Sequence, residues 1–334
     1  MQRVHLNGVL LIDCPASALN NSGDKISNAR TDNTSATKFI RTKSGLYPYL
    51  SAQAFRYWLR DGLSESEKSP IERAKKIAYT QADPINYAED DLFGYMRAEE
   101  KKESLTRLSP LKVSTFVSIS PLYGMTQDFG VMARHEGDPV PYEHEFYRTT
   151  LKGLISLDMS MVGRFYHISR AGYKHLGEEN KKKAQEMGLK SYDNDKAFEI
   201  SKEERVNRIE SLMNSLKDLT GGAKQSIHYT DVNPKFIMLA VLKSGNNLFT
   251  NVISSDEKGL PKINFHTIKE VLDVFKSDIM SKIYIGLPQG YLDEQREELK
   301  RILDESGINY ILEHPKNIIE SFIKELKENN DWLV

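Results

Sequence analysis

The sequence predicts an α+β fold with a ferredoxin-like sheet at its centre, and three observations predict it. Apolar stretches with strand character recur at 2–13, 113–120, 151–160, 235–243, 282–287 and 308–312. Stretches with helical period alternate with the last of them, at 267–277, 291–305 and 315–329. The strand-like stretches 113–120 and 151–160 enclose an irregular excursion rich in Gly and Pro, the pattern of a protruding antiparallel hairpin. Strands separated by helices, with one hairpin, describe an α+β core that carries insertions.

Taken in order, residues 2–13 alternate and then run apolar through Val9, Leu10, Leu11 and Ile12, giving a first strand. From 15 to 44 small polar residues dominate, so this is a long loop, and loops of that length in a compact domain are functional or disordered. Ser51 can cap a helix beginning at Ala52. Phe55, Trp58 and Leu59 share one face of it, and Gln53, Arg56 and Arg60 the opposite face. Residues 63–105 are polar and charged and are expected as a mostly helical insertion; 174–204, equally charged, as a surface insertion. Ile209, Leu212, Met213, Leu216 and Leu219 form an amphipathic helix stripe, punctuated by Gly221 and Gly222. The stretch 235–243 (KFIMLAVLK) is a buried strand. No internal repeat is visible.

Composition narrows the function. The chain has 334 residues, 39% hydrophobic and 28% charged, a globular balance. Its net charge of −1 makes the whole molecule no obvious polyanion binder, so a nucleic-acid surface requires local segregation of charge. The single cysteine, Cys14, forms no intrachain disulfide and no multi-cysteine zinc site, and is expected as an inert thiol. The first residues, MQRVHLNGVLLID, lack the pattern of a signal peptide, and the apolar run at 236–242 is far short of a membrane span. No membrane association and a cytoplasmic location are expected.

The common catalytic and nucleotide-binding motifs are absent: no GxxxxGK[ST], HExxH, GxSxG or GxGxxG. A metabolic enzyme would need a convergent acid, base or nucleophile set, and none stands at a recognisable spacing. His135 and His144, with Asp138, Glu143 and Glu145, are the best metal-ligand set, but their wide spacing points to a solvated loop rather than a metal. No catalytic residue, metal or cofactor is expected.

Three features carry the functional signal. Residues 20–60 hold seven basic residues, Lys25, Arg30, Lys38, Arg41, Lys43, Arg56 and Arg60, against two acidic ones, Asp24 and Asp32. Six aromatics are interleaved with them, and the amides and hydroxyls of Asn20, Asn21, Asn28, Asn33 and Thr34 add donors. That mixture suits a phosphate-lined groove with stacking platforms, although composition equally allows a core with a solvated face. The second feature is 220–225 (TGGAKQ), where glycines let backbone approach a phosphate and Lys224 supplies charge; the glycines would also serve simply to end a helix. The third is the 121–146 excursion. Leu122, Met125, Phe129, Val131 and Met132 have no core to fill at the tip of a projection, so they bury against another chain or wedge between bases, unless the hairpin folds back on its own domain.

These features occur together in an order that resembles the backbone subunit of type I-B CRISPR Cascade complexes, the DevR branch of the Cas-seven family. The stretches that carry the resemblance are HLNGVLLIDCPASALNNSG at 5–23, NARTDNTSATKFIRTKSGLYPYLSAQAFRYWLR at 28–60, HEFYRTTLKGLISLDM at 144–159 and GGAKQSIHYTDVNP at 221–234. Residues 63–105 and 174–204 carry little of it. The resemblance implies one hand-like domain: a modified RNA-recognition-motif palm (1–48, 106–120, 147–170 and 205–334), a helical finger insertion (49–105), a thumb β-hairpin (121–146) and a surface insertion (171–204).

It further implies a crRNA guide held by its backbone, with bases left to pair with target DNA. Identical copies would stack head to tail in a helical filament along the guide, beside a guide 5′-end subunit, a large subunit and small subunits. Carried onto this sequence, Lys25, Arg30, Lys38 and Arg41 bind guide phosphates and Gln53, Arg56 and Arg60 extend that surface. Lys224 and Gln225, freed by Gly221 and Gly222, approach the sugar–phosphate chain, and Met125, Phe129 and Met132 are the thumb wedge. Related type III backbone subunits cleave target RNA with a palm-loop aspartate, and Asp24 and Asp32 occupy that loop here. A non-enzymatic type I-B subunit is expected because those stretches match better. A protein-only scaffold, the other rival, would purify without nucleic acid.

Overall fold

Strand β1 (His5–Ser17) runs through the middle of the main sheet because it has two faces to bury. It pairs antiparallel with β12 (Val140–Asp158) on one side and β16 (Phe236–Leu242) on the other. Successive side chains alternate between faces. Leu6, Leu10 and Ile12 enter one core with Leu151, Ile155, Leu157, Ile237 and Leu239. Val9 and Leu11 enter a second with Phe236, Met238 and Ala240. Two covered faces explain why these strands read as near-continuous apolar runs. The computed structural model describes residues 3–74, 77–98, 104–133, 137–169 and 173–333.

The other elements follow in chain order. After β1 come β2 (Thr34–Ser35), β3 (Phe39–Thr42), β4 (Gly45–Leu50) and helix α1 (Ala52–Asp61). Next are β5 (Glu72–Ala74), β6 (Ile77–Tyr79), α2 (Ala88–Phe93), β7 (Tyr95–Arg97), β8 (Leu105–Arg107), β9 (Leu111–Val113), β10 (Phe116–Ser118) and β11 (Thr126–Met132), which precedes β12. Between β12 and β16 lie β13 (Arg164–Tyr166), α3 (Glu178–Glu186), β14 (Lys190–Tyr192), β15 (Ala197–Glu199) and α4 (Lys202–Lys217). The chain closes through β17 (Ile253–Ser255), β18 (Pro261–Ile263), α5 (Phe265–Val274), β19 (Ile283–Gly286), α6 (Asp293–Ser306), β20 (Tyr310–Glu313) and α7 (Pro315–Glu328). In space the main sheet reads β20-β19-β16-β1-β12-β10-β4-β3, with β2, β9 and β11 also paired to β12. The α+β fold is the one the sequence predicts.

Two features position the functional surface. Helix α1 begins where Ser51 Oγ accepts from the Ala54 N–H at 3.3 Å, and it buries Phe55, Trp58 and Leu59. Phe55 stacks on Phe116 at 4.3 Å. Gly153 of β12 makes room for that pair, since a Cβ there would lie 2.4 Å from the Phe116 ring. Strand β12, at 19 residues, outruns its partners in the sheet. Its last half builds the core and its first half pairs with β11 as the hairpin.

The expectation for 63–105 is corrected. Among the described residues it carries one six-residue helix, α2, and two small hairpins, β5–β6 and β7–β8. Charge-rich composition suggested helix, but the stretch offers no apolar stripe for a longer helix to bury, so local pairing wins. Its anchor is ionic: Asp91, fully buried, accepts from Arg107, from Arg208 Nη1 at 2.8 Å and from the Gly163 N–H at 2.8 Å. The 113–120 strand is also broken, into β9 and β10, where Ser114 Oγ accepts the Leu154 N–H at 2.8 Å.

Candidate nucleic-acid interface

The site grows from alternation along β12. Glu143 and Glu145 point to the same face as Tyr147, which enters the first core, while Tyr142, His144 and Phe146 point to the other. Both carboxylates are buried and both are taken up by the loop 15–44. Glu143 Oε2 accepts the Arg30 N–H at 2.8 Å. Glu145 Oε2 accepts the Thr37 N–H at 2.9 Å and its hydroxyl at 3.3 Å. Strand β2 adds a parallel pairing to β12, and the Glu143 N–H donates to Asn33 O at 3.0 Å. The loop is therefore fastened through its backbone, and its cations are left outside. Lys25 and Arg30 are exposed and Lys38 is half-buried. Arg30 lies 5.8 Å from the Phe129 ring centroid, and exposed Arg41 lies 5.5 Å from that of Phe39. Both distances suit cation–π contact.

On the other face, the loop after α4 meets the hairpin. His228 Nε2 and His144 Nε2 are 2.7 Å apart. The loop is closed by Gln225, whose Nε2 donates to Gly221 O at 2.5 Å and whose Oε1 accepts the Thr230 N–H at 2.8 Å. Lys224 has a φ of +54° and is half-buried, and burial lowers its pKa. Gly221 lies against Trp58, where a Cβ would sit 2.4 Å from the ring. Gly222, at φ +106°, would place a Cβ 2.7 Å from Leu19 Cδ2. Both glycines thus serve packing of this loop onto α1 and the loop 15–44.

The model of the family described as "CRISPR-associated negative auto-regulator DevR/Csa2" matches residues 13–258, the span that holds the loop 15–44, α1, the β11–β12 hairpin and the loop after α4. The chain belongs to this CRISPR-associated family. Two solved structures share the DevR/Csa2 chain's fold. A chain titled "CRISPR RNA-guided surveillance complex" aligns at 10% identity with a TM-score of 0.53, covering 96% of this chain and 99% of its own. Another, titled "CRISPR RNA-guided surveillance complex, pre-nicking", aligns at 10% identity with a TM-score of 0.55, covering 96% and 100%. No curated protein matches the sequence.

In this DevR/Csa2 chain the sequence-predicted residues divide. Lys25, Arg30, Lys38 and Arg41 share the loop and the strand that follows it, on the protein surface; Lys25 is partnered by Asp32 at 3.0 Å, an exposed pair worth little. Gln53 is exposed, and Arg60, half-buried, lies over Tyr57 and 3.6 Å from Glu89. Arg56 does not join them. Its guanidinium donates to Leu111 O at 2.5 Å, Phe93 O at 2.7 Å and Ser109 Oγ at 3.1 Å, and burial lowers its pKa to about 10. It clamps α1 to the following segments. Gln225 is likewise committed inside its loop, and Asn20 Oδ1 accepts the Ser51 N–H at 3.1 Å. In the hairpin, Phe129 and Met132 are exposed at 44% and 50%, but Met125 is half-buried against the first core, before β11 begins. It is no tip residue.

Sequence reasoning missed three groups. Val140 stands directly opposite Met132 and is exposed with it. Glu143 and Glu145, carboxylates of the candidate metal set, point away from His144 and each accepts a loop N–H, so these two carboxylates do not converge on His144. His135 lies outside the described residues. His228 was missed because nothing in sequence links it to His144, 84 residues earlier. The alternation Glu-His-Glu on a strand was the available signal, since it places carboxylates and imidazole on opposite faces.

Proposed function

We propose that this chain is the guide-RNA-binding backbone subunit of a CRISPR surveillance complex, of the type I-B kind. The observation that carries the reading is the backbone tethering of the loop 15–44. Glu143 and Glu145 take its N–H groups, which leaves Lys25, Arg30 and Arg41 exposed and Lys38 half-buried among them, in a chain whose net charge is only −1. Fixed cations beside an apolar-tipped hairpin suit a sugar–phosphate strand held without base reading. Family membership and the shared fold of surveillance-complex chains support it.

In this reading the main sheet is the palm, the insertion carrying α1 and α2 the fingers, and the β11–β12 hairpin the thumb. Copies stack head to tail along the guide, each thumb reaching its neighbour, and the guide's bases stay free to pair with target DNA. A guide 5′-end subunit, a large subunit and small subunits complete the particle. In this reading the chain is not itself a nuclease; Asp24 and Asp32 are the palm-loop aspartates that a cleaving relative would use.

Co-expression with a repeat-spacer RNA tests the reading. The purified protein carries RNase-sensitive nucleic acid and forms filaments whose length follows the guide. Protein that emerges free of RNA, with no salt-dependent affinity for it, defeats the proposal. Magnesium-dependent cutting of guide-complementary RNA, abolished by Asp32→Ala, would replace it with a type III-like enzyme.

A further inference from the structure

His144 and His228 meet where the hairpin joins the loop that carries Lys224. Their Nε2 atoms are 2.7 Å apart. Around them the rings of Tyr142 and Phe146 stack at centroid distances of 5.6 Å on His144 and 4.8 Å on His228. An Nε2-to-Nε2 contact at this distance needs one N–H and one lone pair, so the two rings share a single proton there. The other nitrogen of His144, Nδ1, is buried without a hydrogen-bond partner among the described residues, which suits an unprotonated atom better than a charged ring.

We propose that this pair is the positioning contact that holds the Lys224 loop against the base of the hairpin in the geometry that binds RNA, and that the contact opens on acidification. The proposal rests on the guide-binding reading and adds its control. A second proton has no good place. Put on the pair while the Nε2 contact persists, it leaves an N–H on His144 Nδ1 with no acceptor, whichever ring carries the charge. Put on both Nε2 atoms, it sets two donors against each other.

The surrounding charges reinforce this. Lys224 comes from the loop itself and opposes a cation on either ring. Asp128 from β11 favours one, with Oδ2 3.7 Å from His144 Nε2, but it is exposed and screened. Glu143 and Glu145 point to the opposite face of β12. The bond of His228 to the Ala16 backbone near the end of β1 also favours a charged ring, but it is a smaller influence than burial or Lys224. Burial first, and Lys224 second, lower the pKa of both imidazoles, so the neutral pair is the resting form. Opening does not unfold the loop. The Ala223 N–H still donates to Leu19 O at 3.1 Å, and Thr230 and Ser17 share a hydroxyl bond at 2.7 Å. What is lost is the placement of Lys224.

The sign is diagnostic. A histidine that touched phosphate would bind RNA more tightly as it gained charge; this pair makes binding weaker. The affinity of the full chain for a repeat-spacer RNA is measured at constant ionic strength from about pH 8 to about pH 5, which brackets the ordinary imidazole value of about 6.5. Wild type is expected to lose roughly tenfold or more, a change of about 1.4 kcal/mol. His228→Gln keeps an amide able to meet His144 but does not titrate, so its affinity changes less between the two ends. His228→Ala, which offers no hydrogen bond, binds more weakly than His228→Gln at pH 8. Wild-type affinity that holds or rises on acidification overturns the proposal alone, as does a His228→Gln profile as steep as wild type. No RNA binding at pH 8 overturns the guide-binding reading and this proposal with it.

Discussion

Glu143 Oε2 accepts the backbone N–H of Arg30 at 2.8 Å, across 113 residues of sequence. With Glu145 on Thr37, it turns an apparently structureless polar stretch into a fixed surface. The two bonds differ in exposure. The Thr37 N–H is buried and has no water to fall back on, whereas the Arg30 N–H is only partly buried. Glu145→Ala is therefore expected to destabilise the fold more than Glu143→Ala, by about 1–3 kcal/mol for the buried donor left unpaired. Urea unfolding gives that difference, and limited proteolysis should show new cleavage within 15–44. Equal unfolding midpoints for both variants and wild type would mean the carboxylates do not fasten the loop.

Arg56 and the pair Lys38 and Arg41 should separate stability from binding. Arg56→Lys loses the fork that reaches Leu111 O and Phe93 O together, and is expected to lower stability by about 1–3 kcal/mol. Its RNA affinity should keep the wild-type salt dependence. Lys38→Ala with Arg41→Ala should do the reverse. Stability stays within about 0.5 kcal/mol, while the slope of log affinity against log salt flattens by up to roughly 1.4, about 0.7 for each single-strand phosphate no longer neutralised. A flattened slope in Arg56→Lys would return that arginine to the interface.

Asp90 sets a pH dependence of a different kind. It is fully buried in α2, with Oδ2 accepting the Asp83 N–H at 2.9 Å and no partner for Oδ1 among the described residues. Burial raises its pKa above the ordinary 3.8, so the folded chain retains a proton that the unfolded chain releases. Its stabilising contribution is complete below the ordinary value and is lost as pH rises through the folded one. Asp90→Asn mimics the protonated group and should gain stability relative to wild type between about pH 4 and neutrality. Urea midpoints at the two ends check this; a constant difference between the proteins refutes it.

How much was legible in the sequence follows from where the determinants lie. Helix α1 and the alternation from α5 to α7 were legible because each carries its own apolar period or strand character and, for α1, its own cap at Ser51. The loop 15–44 was legible as important but not as structure, since what orders it is a pair of glutamates more than a hundred residues away. Arg56 was misplaced because a helical wheel shows which side is polar, not what packs on that side; here Phe93, Ser109 and Leu111 close over it. Met125 was misplaced by about one residue of strand boundary, since the hairpin starts at Thr126 and Met125 still belongs to the core.

The hairpin tip carries the last prediction. Met132 and Val140 stand opposite each other on one face, and Phe129 and Val131 share the other. All four are exposed by 44–53%, and none of them belongs to either of the two large cores. Apolar groups held on both faces of a projecting ribbon gain free energy only when something covers them, about 25 cal/mol for each Å² removed from water. If that cover is a neighbouring copy, Phe129→Ser with Met132→Ser should leave one copy able to bind a short RNA through its loop cations. The same variant should fail to fill a long guide cooperatively. Light scattering of protein bound to RNAs of increasing length separates the outcomes: mass that grows stepwise with length as for wild type would remove the hairpin from assembly, and loss of binding even to the short RNA would make the tip an RNA contact instead.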